Sequence, residues 1–186
     1  METKVSSVFQ PWLGTERNLT PTVCPSGDRS RNGKEDTYLD IGVGSGSVLN
    51  QLKQVIPLGR GIGFDISAEM MQKANGLLGS VFIANAYQIP LLSNMVKLTT
   101  MRMVLHHLCD GQMAISEMLR VLKPDGLGIV AEYTVPNQQA LAFERTVFDL
   151  KEPGRKLWTP ISLMRFLMDC PNLQVEKMTS ATMSQY

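Results

Sequence analysis

Asp40, Gly42, Gly44 and Gly46 alternate through the stretch YLDIGVGSGSVLNQL, residues 38–52. An apolar run leads into the acid, and an amphipathic stretch follows the glycines. Glycine lets backbone approach a ligand closely and tolerates the positive φ of a sharp strand-to-helix turn. Open α/β sheets bind ligands beyond the carboxyl ends of their strands, so such a turn suits a nucleoside-type ligand. Dinucleotide sites prefer G-x-G-x-x-G, which presents a helix N-terminus to a pyrophosphate. Here the third-glycine position is Ser47, and the glycine falls one residue early, at Gly46. A carboxylate at Asp40 repels a pyrophosphate and attracts an ammonium or sulfonium group. The pattern therefore favours a cationic amino-acid ligand; the structural alternative is an Asp40 that hydrogen-bonds loop amides.

A second acid follows at a useful distance. Asp65 closes the apolar run GIGFDI. About 20 residues past the glycine turn is the usual place for a carboxylate that accepts both hydroxyls of a ribose. An acid in the first turn of a helix is the plainer alternative. The chain has two histidines, His106 and His107, and they are adjacent. Either is a candidate base or substrate contact, and equally a candidate for pinning a loop by hydrogen bonds. Arg102, just before them, can pair with an acidic substrate or with a carboxylate of the protein. Tyr133, Phe9 and Trp12 are candidate walls of an acceptor pocket or members of the core.

These residues need a scaffold. TYLDIG (37–42), GIGFDI (61–66), SVFIANA (80–86), VKLTTMRM (96–103) and LGIVAEYT (127–134) read as strands. GSVLNQLKQVI (46–56), a stretch capped by Ser67 and running to about 77, and DGQMAISEMLRVLK (110–123) read as helices. PDG (124–126) reads as a turn, and 87–95 leaves room only for a loop or a single helical turn. Residues 137–152 and 160–170 read as helices, and 172–184 as a last strand. Residues 1–36 read as irregular, with Phe9, Trp12 and Leu13 as apolar anchors. Alternating strands and helices predict an α/β fold: a Rossmann-like, doubly wound, mostly parallel sheet of six or seven strands.

Composition narrows the class. The net charge is +1 over 186 residues, which offers no basic field for nucleic acid or an anionic membrane. No stretch approaches the ~20 apolar residues of a membrane span. Cys24, Cys109 and Cys170 are far apart and odd in number, which argues for reduced thiols in a cytoplasmic protein and against a metal site or a disulfide framework. Of the twelve methionines, Met70, Met71, Met113 and Met118 fall at helical spacings and read as core filler.

Five segments together resemble the class I S-adenosylmethionine-dependent methyltransferases, especially the small-molecule branch that includes the ubiquinone and menaquinone biosynthesis enzymes. They are LDIGVGSG, GFDISAEMM, ANAYQIPL, TTMRMVLHHL and EMLRVLKPDGLGIVAEY, in the family's order and spacing over 37–134. The resemblance implies a small-molecule methyl acceptor and S-adenosyl-L-methionine as cofactor. Asp40, Gly42, Gly44 and Gly46 would hold its amino-acid end, and Asp65 its ribose. Ile66 would pack on the adenine, Asn85 and Ala86 would lie at the adenine edge, and Met101 and Arg102 would line the cofactor. His106, His107 and Arg102 are the candidate catalytic residues. The resemblance also implies 37–186 as the methyltransferase domain, 1–36 as a partial lid, and a monomer or homodimer.

The family pattern is not complete. Asn85 replaces the usual Asp, so its contact with adenine lacks charge assistance and weaker cofactor binding is expected. Lys97 stands where an acid is common. The family sheet has an antiparallel strand inserted between its fifth and sixth strands, and the sequence offers one candidate strand near its end. No Asn/Asp-Pro-Pro-Tyr-type motif follows strand four, which argues against methylation of nucleobases or glutamine. Two other functions compete: a methyltransferase-like domain with little activity that serves a partner, and an NAD(P)-dependent oxidoreductase, which Ser47 and Asp40 oppose.

Overall fold

Runs of β-branched and aromatic residues give the strands, and glycine, proline and aspartate cut them into pieces. The computed structural model describes residues 3–8, 36–55, 59–78 and 81–179. Its elements are β1 (Thr3–Val8), β2 (Thr37–Ile41), α1 (Ser47–Val55), β3 (Arg60–Asp65), α2 (Ala68–Leu78), β4 (Val81–Ile83), β5 (Val96–Arg102), a 3-10 turn (Leu105–His107), α3 (Gly111–Val121), β6 (Leu122–Ala131), α4 (Gln138–Lys151), α5 (Pro160–Met168) and β7 (Leu173–Thr179). The segment between β4 and β5 carries no helix, as its length predicts.

The seven strands form one sheet in the order β4-β3-β2-β5-β6-β1-β7. Every pairing in it is parallel. Two features differ from the sequence reading. Residues 1–36 are not irregular throughout: Thr3–Val8 lies between β6 and β7, parallel to both. That is the seat the family resemblance gives to an antiparallel strand. TKVSSV has the β-branched alternation of a strand but is too short to stand out beside a long polar stretch. The second difference is at 124–126. β6 begins already at Leu122, and the register jumps from Val96↔Leu122 to Leu98↔Leu127. The predicted turn survives as a bulge that leaves and rejoins the ladder.

Side chains alternate across β2. Leu39 and Ile41 join the cluster with Ile115 and Met118 of α3 and Leu163 and Leu167 of α5. Tyr38 joins Leu49 of α1 and Met71 and Ala74 of α2 on the other face. Asp40 shares the parity of Tyr38, which sends it beneath the glycine turn. Each fully buried Leu or Ile contributes about 1.5–3 kcal/mol, so both faces of β2 hold Asp40 at depth. Helix α4 has no buried residue. Of the segment 1–36 read as a partial lid, residues 9–35, with Phe9, Trp12 and Cys24, lie outside the described residues.

Candidate active site

The chain leaves β2 toward β3 on one side, and β5 lies on its other side. Their carboxyl ends therefore form the switch point of the sheet, where side chains leave a crevice. A cleft of about 450 Å³ opens there.

The turn after β2 forms its floor. Gly42, Gly44 and Gly46 have φ of 69°, 54° and 86°. Val43 N–H donates to Phe64 O at 2.9 Å, and Gly46 N–H donates to Val43 O at 2.9 Å, so the turn is bonded to β3 and to itself. The glycines serve different ends. A Cβ on Gly42 would run into Val104 Cγ2, whereas a Cβ on Gly44 would meet nothing within 4 Å. Gly44 thus leaves open space on the cleft side that protein packing does not require.

Asp40 sits behind this turn, 2% exposed. Thr100 Oγ1 donates to Asp40 Oδ1 at 2.6 Å. Burial pushes the carboxyl up to about 7, with Asp65 adding to the effect and Thr100 and Arg102 opposing it. Asp65 is bound by backbone on both oxygens: Gly44 N–H donates to Oδ2 and Ser67 N–H to Oδ1, each at 3.0 Å. It therefore ties the glycine turn to the start of α2. Each carboxylate oxygen retains acceptor capacity for a hydroxyl.

The structure places the other candidates unequally. Ile66, Asn85, Ala86, Arg102 and His107 line the cleft with Asp40, Gly42, Gly44 and Asp65. Ile66 is 71% exposed at its rim. Asn85 Oδ1 accepts from Tyr87 N–H at 3.0 Å, closing the tight turn that carries Ala86. Arg102 Nη2 reaches Ser47 Oγ at 3.4 Å across the floor. Gly46 and Met101 are buried and lie behind the wall, not on it. The two histidines diverge. His106 is buried with its Nδ1 2.7 Å from Glu132 Oε1, while His107 faces the cleft.

Some residues on the cleft wall, and Glu132 behind it, escaped the sequence reading. Met103 lines the cleft with φ of 58°, a left-handed conformation that nothing in a sequence announces for methionine. Glu132 had a readable signal: it is a lone acid interrupting the apolar run GIVAEY. Val48, Met70 and Leu108 also line the cleft, as apolar walls.

The profile of the methyltransferase domain family matches residues 39–130, from the strand that carries Asp40 to the strand that ends beside Glu132. Those residues are thus similar to a methyltransferase domain. Related chains agree. The ubiquinone/menaquinone biosynthesis C-methyltransferase UbiE of Stutzerimonas stutzeri is 32% identical over 132 residues, covering 65% of this chain and 52% of its own length. UbiE of Pseudomonas aeruginosa is 32% identical over 149 residues, covering 74% and 57%. The chain spans about half the length of the curated relatives it matches. A putative methyltransferase of Bacillus halodurans has the same fold, with a TM-score of 0.64 at 20% identity over 73% of this chain and 62% of its own. The class I methyltransferase fold expected from the sequence is thus the fold of the domain. Among the described residues no helix is long and apolar enough to cross a membrane.

Proposed function

We propose that the domain moves a methyl group from S-adenosylmethionine to a small-molecule acceptor. The observation that carries this reading is a buried acid, Asp40, behind a glycine turn whose open side faces a cleft. A cation suits that place: it compensates a carboxylate that burial otherwise holds near half-protonation. A pyrophosphate would add negative charge to the same spot, which disfavours the oxidoreductase reading.

When bound, S-adenosylmethionine supplies a methyl carbon already activated by the positive charge on sulfur. The chain's part is to bind, align and exclude water. Asp40 and the turn at Gly42, Gly44 and Gly46 hold the amino-acid end. Asp65 accepts the ribose hydroxyls, and Ile66, Asn85 and Ala86 flank the adenine. Met101 supports the wall from behind, beside Arg102. Alignment of donor and acceptor is worth roughly 7–11 kcal/mol where geometry is favourable, so few reactive groups are needed. Cys109 and Cys170 are free, in keeping with a cytoplasmic setting.

A second reading is a methyltransferase-like domain that binds a partner and turns over little. Asn85, whose amide oxygen already serves the turn to Tyr87, favours it. Thermal shift separates the readings. A ligand at 100 times its Kd adds about 2.7 kcal/mol, which for this length raises the midpoint by roughly 5–11 °C. A rise with S-adenosylmethionine or S-adenosylhomocysteine, and none with NAD, supports methyl transfer. A rise with NAD alone supports the oxidoreductase, and no rise with any of them supports the partner domain. A radiolabelled methyl donor offered with metabolite fractions then identifies the acceptor.

A further inference from the structure

Glu132 has no task in the reading given so far, yet it is the more elaborately satisfied of the two acids buried among the described residues. It follows β6, is 2% exposed, and accepts three hydrogen bonds. These come from His106 N–H at 3.3 Å, from His106 at Nδ1 at 2.7 Å, and from Tyr133 N–H at 2.9 Å. A carboxylate so far from water is costly, and three partners are what make its burial tolerable. It grips both the backbone and the ring of His106. That ring in turn lies against His107, with centroids 3.9 Å apart. Lys156 N–H donates to His106 O at 2.9 Å, so the segment between α4 and α5 closes over the same turn. The outer ring of this tilted pair, His107, lines the cleft and reaches solvent.

We propose that Glu132 is a positioning residue: through His106 it sets the His107 imidazole at the cleft wall to take the proton that a hydroxyl or carbon-acid acceptor loses on methylation. The proposal rests on the methyl-transfer reading and names the class of acceptor. Methylation of a hydroxyl replaces O–H with O–CH3 and releases one proton, as C–H does at an acidic carbon. The imidazole takes that proton, becomes imidazolium, and returns it to water at its exposed edge. An amine with a free lone pair needs no such group during transfer. The charges facing His107 are His106, Glu132 from the end of β6, and Glu152 and Arg155 from the segment after α4. Burial first, then His106 and Arg155, hold its imidazole below the ordinary range, while Glu152 and Glu132 pull upward. A ring held neutral at working pH is the form that accepts a proton.

The chain's two histidines are both in this pair, so nuclear magnetic resonance of the histidine-labelled 186-residue chain reads two rings and no others. In the parent, His106 should carry its proton on Nδ1, facing Glu132, and His107 should titrate below the ordinary histidine range. In Glu132→Gln the His107 midpoint should fall by about half a unit, a threefold weaker proton affinity. Affinity for S-adenosylhomocysteine should stay within about twofold of the parent. An unchanged His107 titration with unchanged ring shifts in Glu132→Gln overturns the proposal. Should that variant not fold, the parent alone decides: a His106 Nδ1 without a proton overturns the proposal. The same samples are tested for a thermal shift with S-adenosylhomocysteine. Its absence in the parent defeats the methyl-transfer reading; its presence with a silent His107 defeats this proposal alone. An acceptor screen in which only amines are methylated overturns it as well.

Discussion

Asp40→Asn should make the ligand-free protein more stable and the site useless, and both effects follow from the same buried charge. Burial raises the Asp40 carboxyl from 3.8 to about 7. Between those values the folded chain holds a proton that the unfolded chain has lost. Stability therefore falls as pH rises through that window, and above it the ionised form costs the fold about 4 kcal/mol. Asparagine has the same shape, keeps an oxygen to accept from Thr100 Oγ1, and carries no charge. The stability advantage of the variant should grow by about 2–3 kcal/mol between about pH 5 and about pH 8. For a chain of this length that is roughly 5–10 °C in midpoint. Urea unfolding at a series of pH values, without ligand, measures it. The parent's affinity for S-adenosylmethionine should weaken about tenfold per unit as pH falls below about 7, because binding must expel the Asp40 proton. In the variant, affinity should be at least about a hundredfold weaker and flat with pH. Stability curves for parent and variant that run parallel across this range would refute the placement of a strained acid beneath the turn.

Four further substitutions test the neighbouring parts. Gly42→Ala must both adopt a left-handed φ and push into the stiff Val104 side chain, so it should cost about 2–4 kcal/mol in denaturant unfolding. Gly44→Ala meets only open space and should cost about 1–2 kcal/mol through φ alone, yet calorimetry should find ligand binding largely lost. Equal losses of stability in the two would contradict that division. Asn85→Asp restores a charged acceptor while keeping the oxygen that holds Tyr87 N–H, and should tighten S-adenosylhomocysteine binding by about tenfold. Glu117 accepts from Ile89 N–H at 2.8 Å and from Arg120 Nε at 2.6 Å, while Arg120 holds the carbonyls of Ile89 and Leu91. Glu117→Ala should therefore raise hydrogen exchange at 87–93 at a stability cost of about 1–3 kcal/mol; protection unchanged there would mean that the loop is held by its apolar packing.

What could be read in advance follows from the range over which each feature is determined. The strand and helix that flank the glycines obey local periodicity, and Asp40, Gly42, Gly44 and Asp65 sit at element ends that the period itself locates. Their joint place on one cleft follows from the switch point, which alternation of strands and helices already implies. Thr3–Val8 was not legible as a sheet member, because its seat between β6 and β7 depends on partners more than a hundred residues away. The same limit explains the histidines. Two adjacent residues in a 3-10 turn meet different surroundings, and only the approach of Glu132 from the end of β6 decides which of them is buried. A lone acid in an apolar strand is visible, but its partner is not: a buried carboxylate must find donors, and the sequence cannot say from where. That requirement is itself informative. Among the described residues two acids are fully buried, Asp40 and Glu132, at the carboxyl ends of strands on either side of β5. Glu132 has three protein donors. Asp40 has one strong side-chain donor, Thr100, and a carboxyl pushed toward neutrality. Glu132 is complete within the chain, and in the proposed function Asp40 is the acid that a cationic ligand completes.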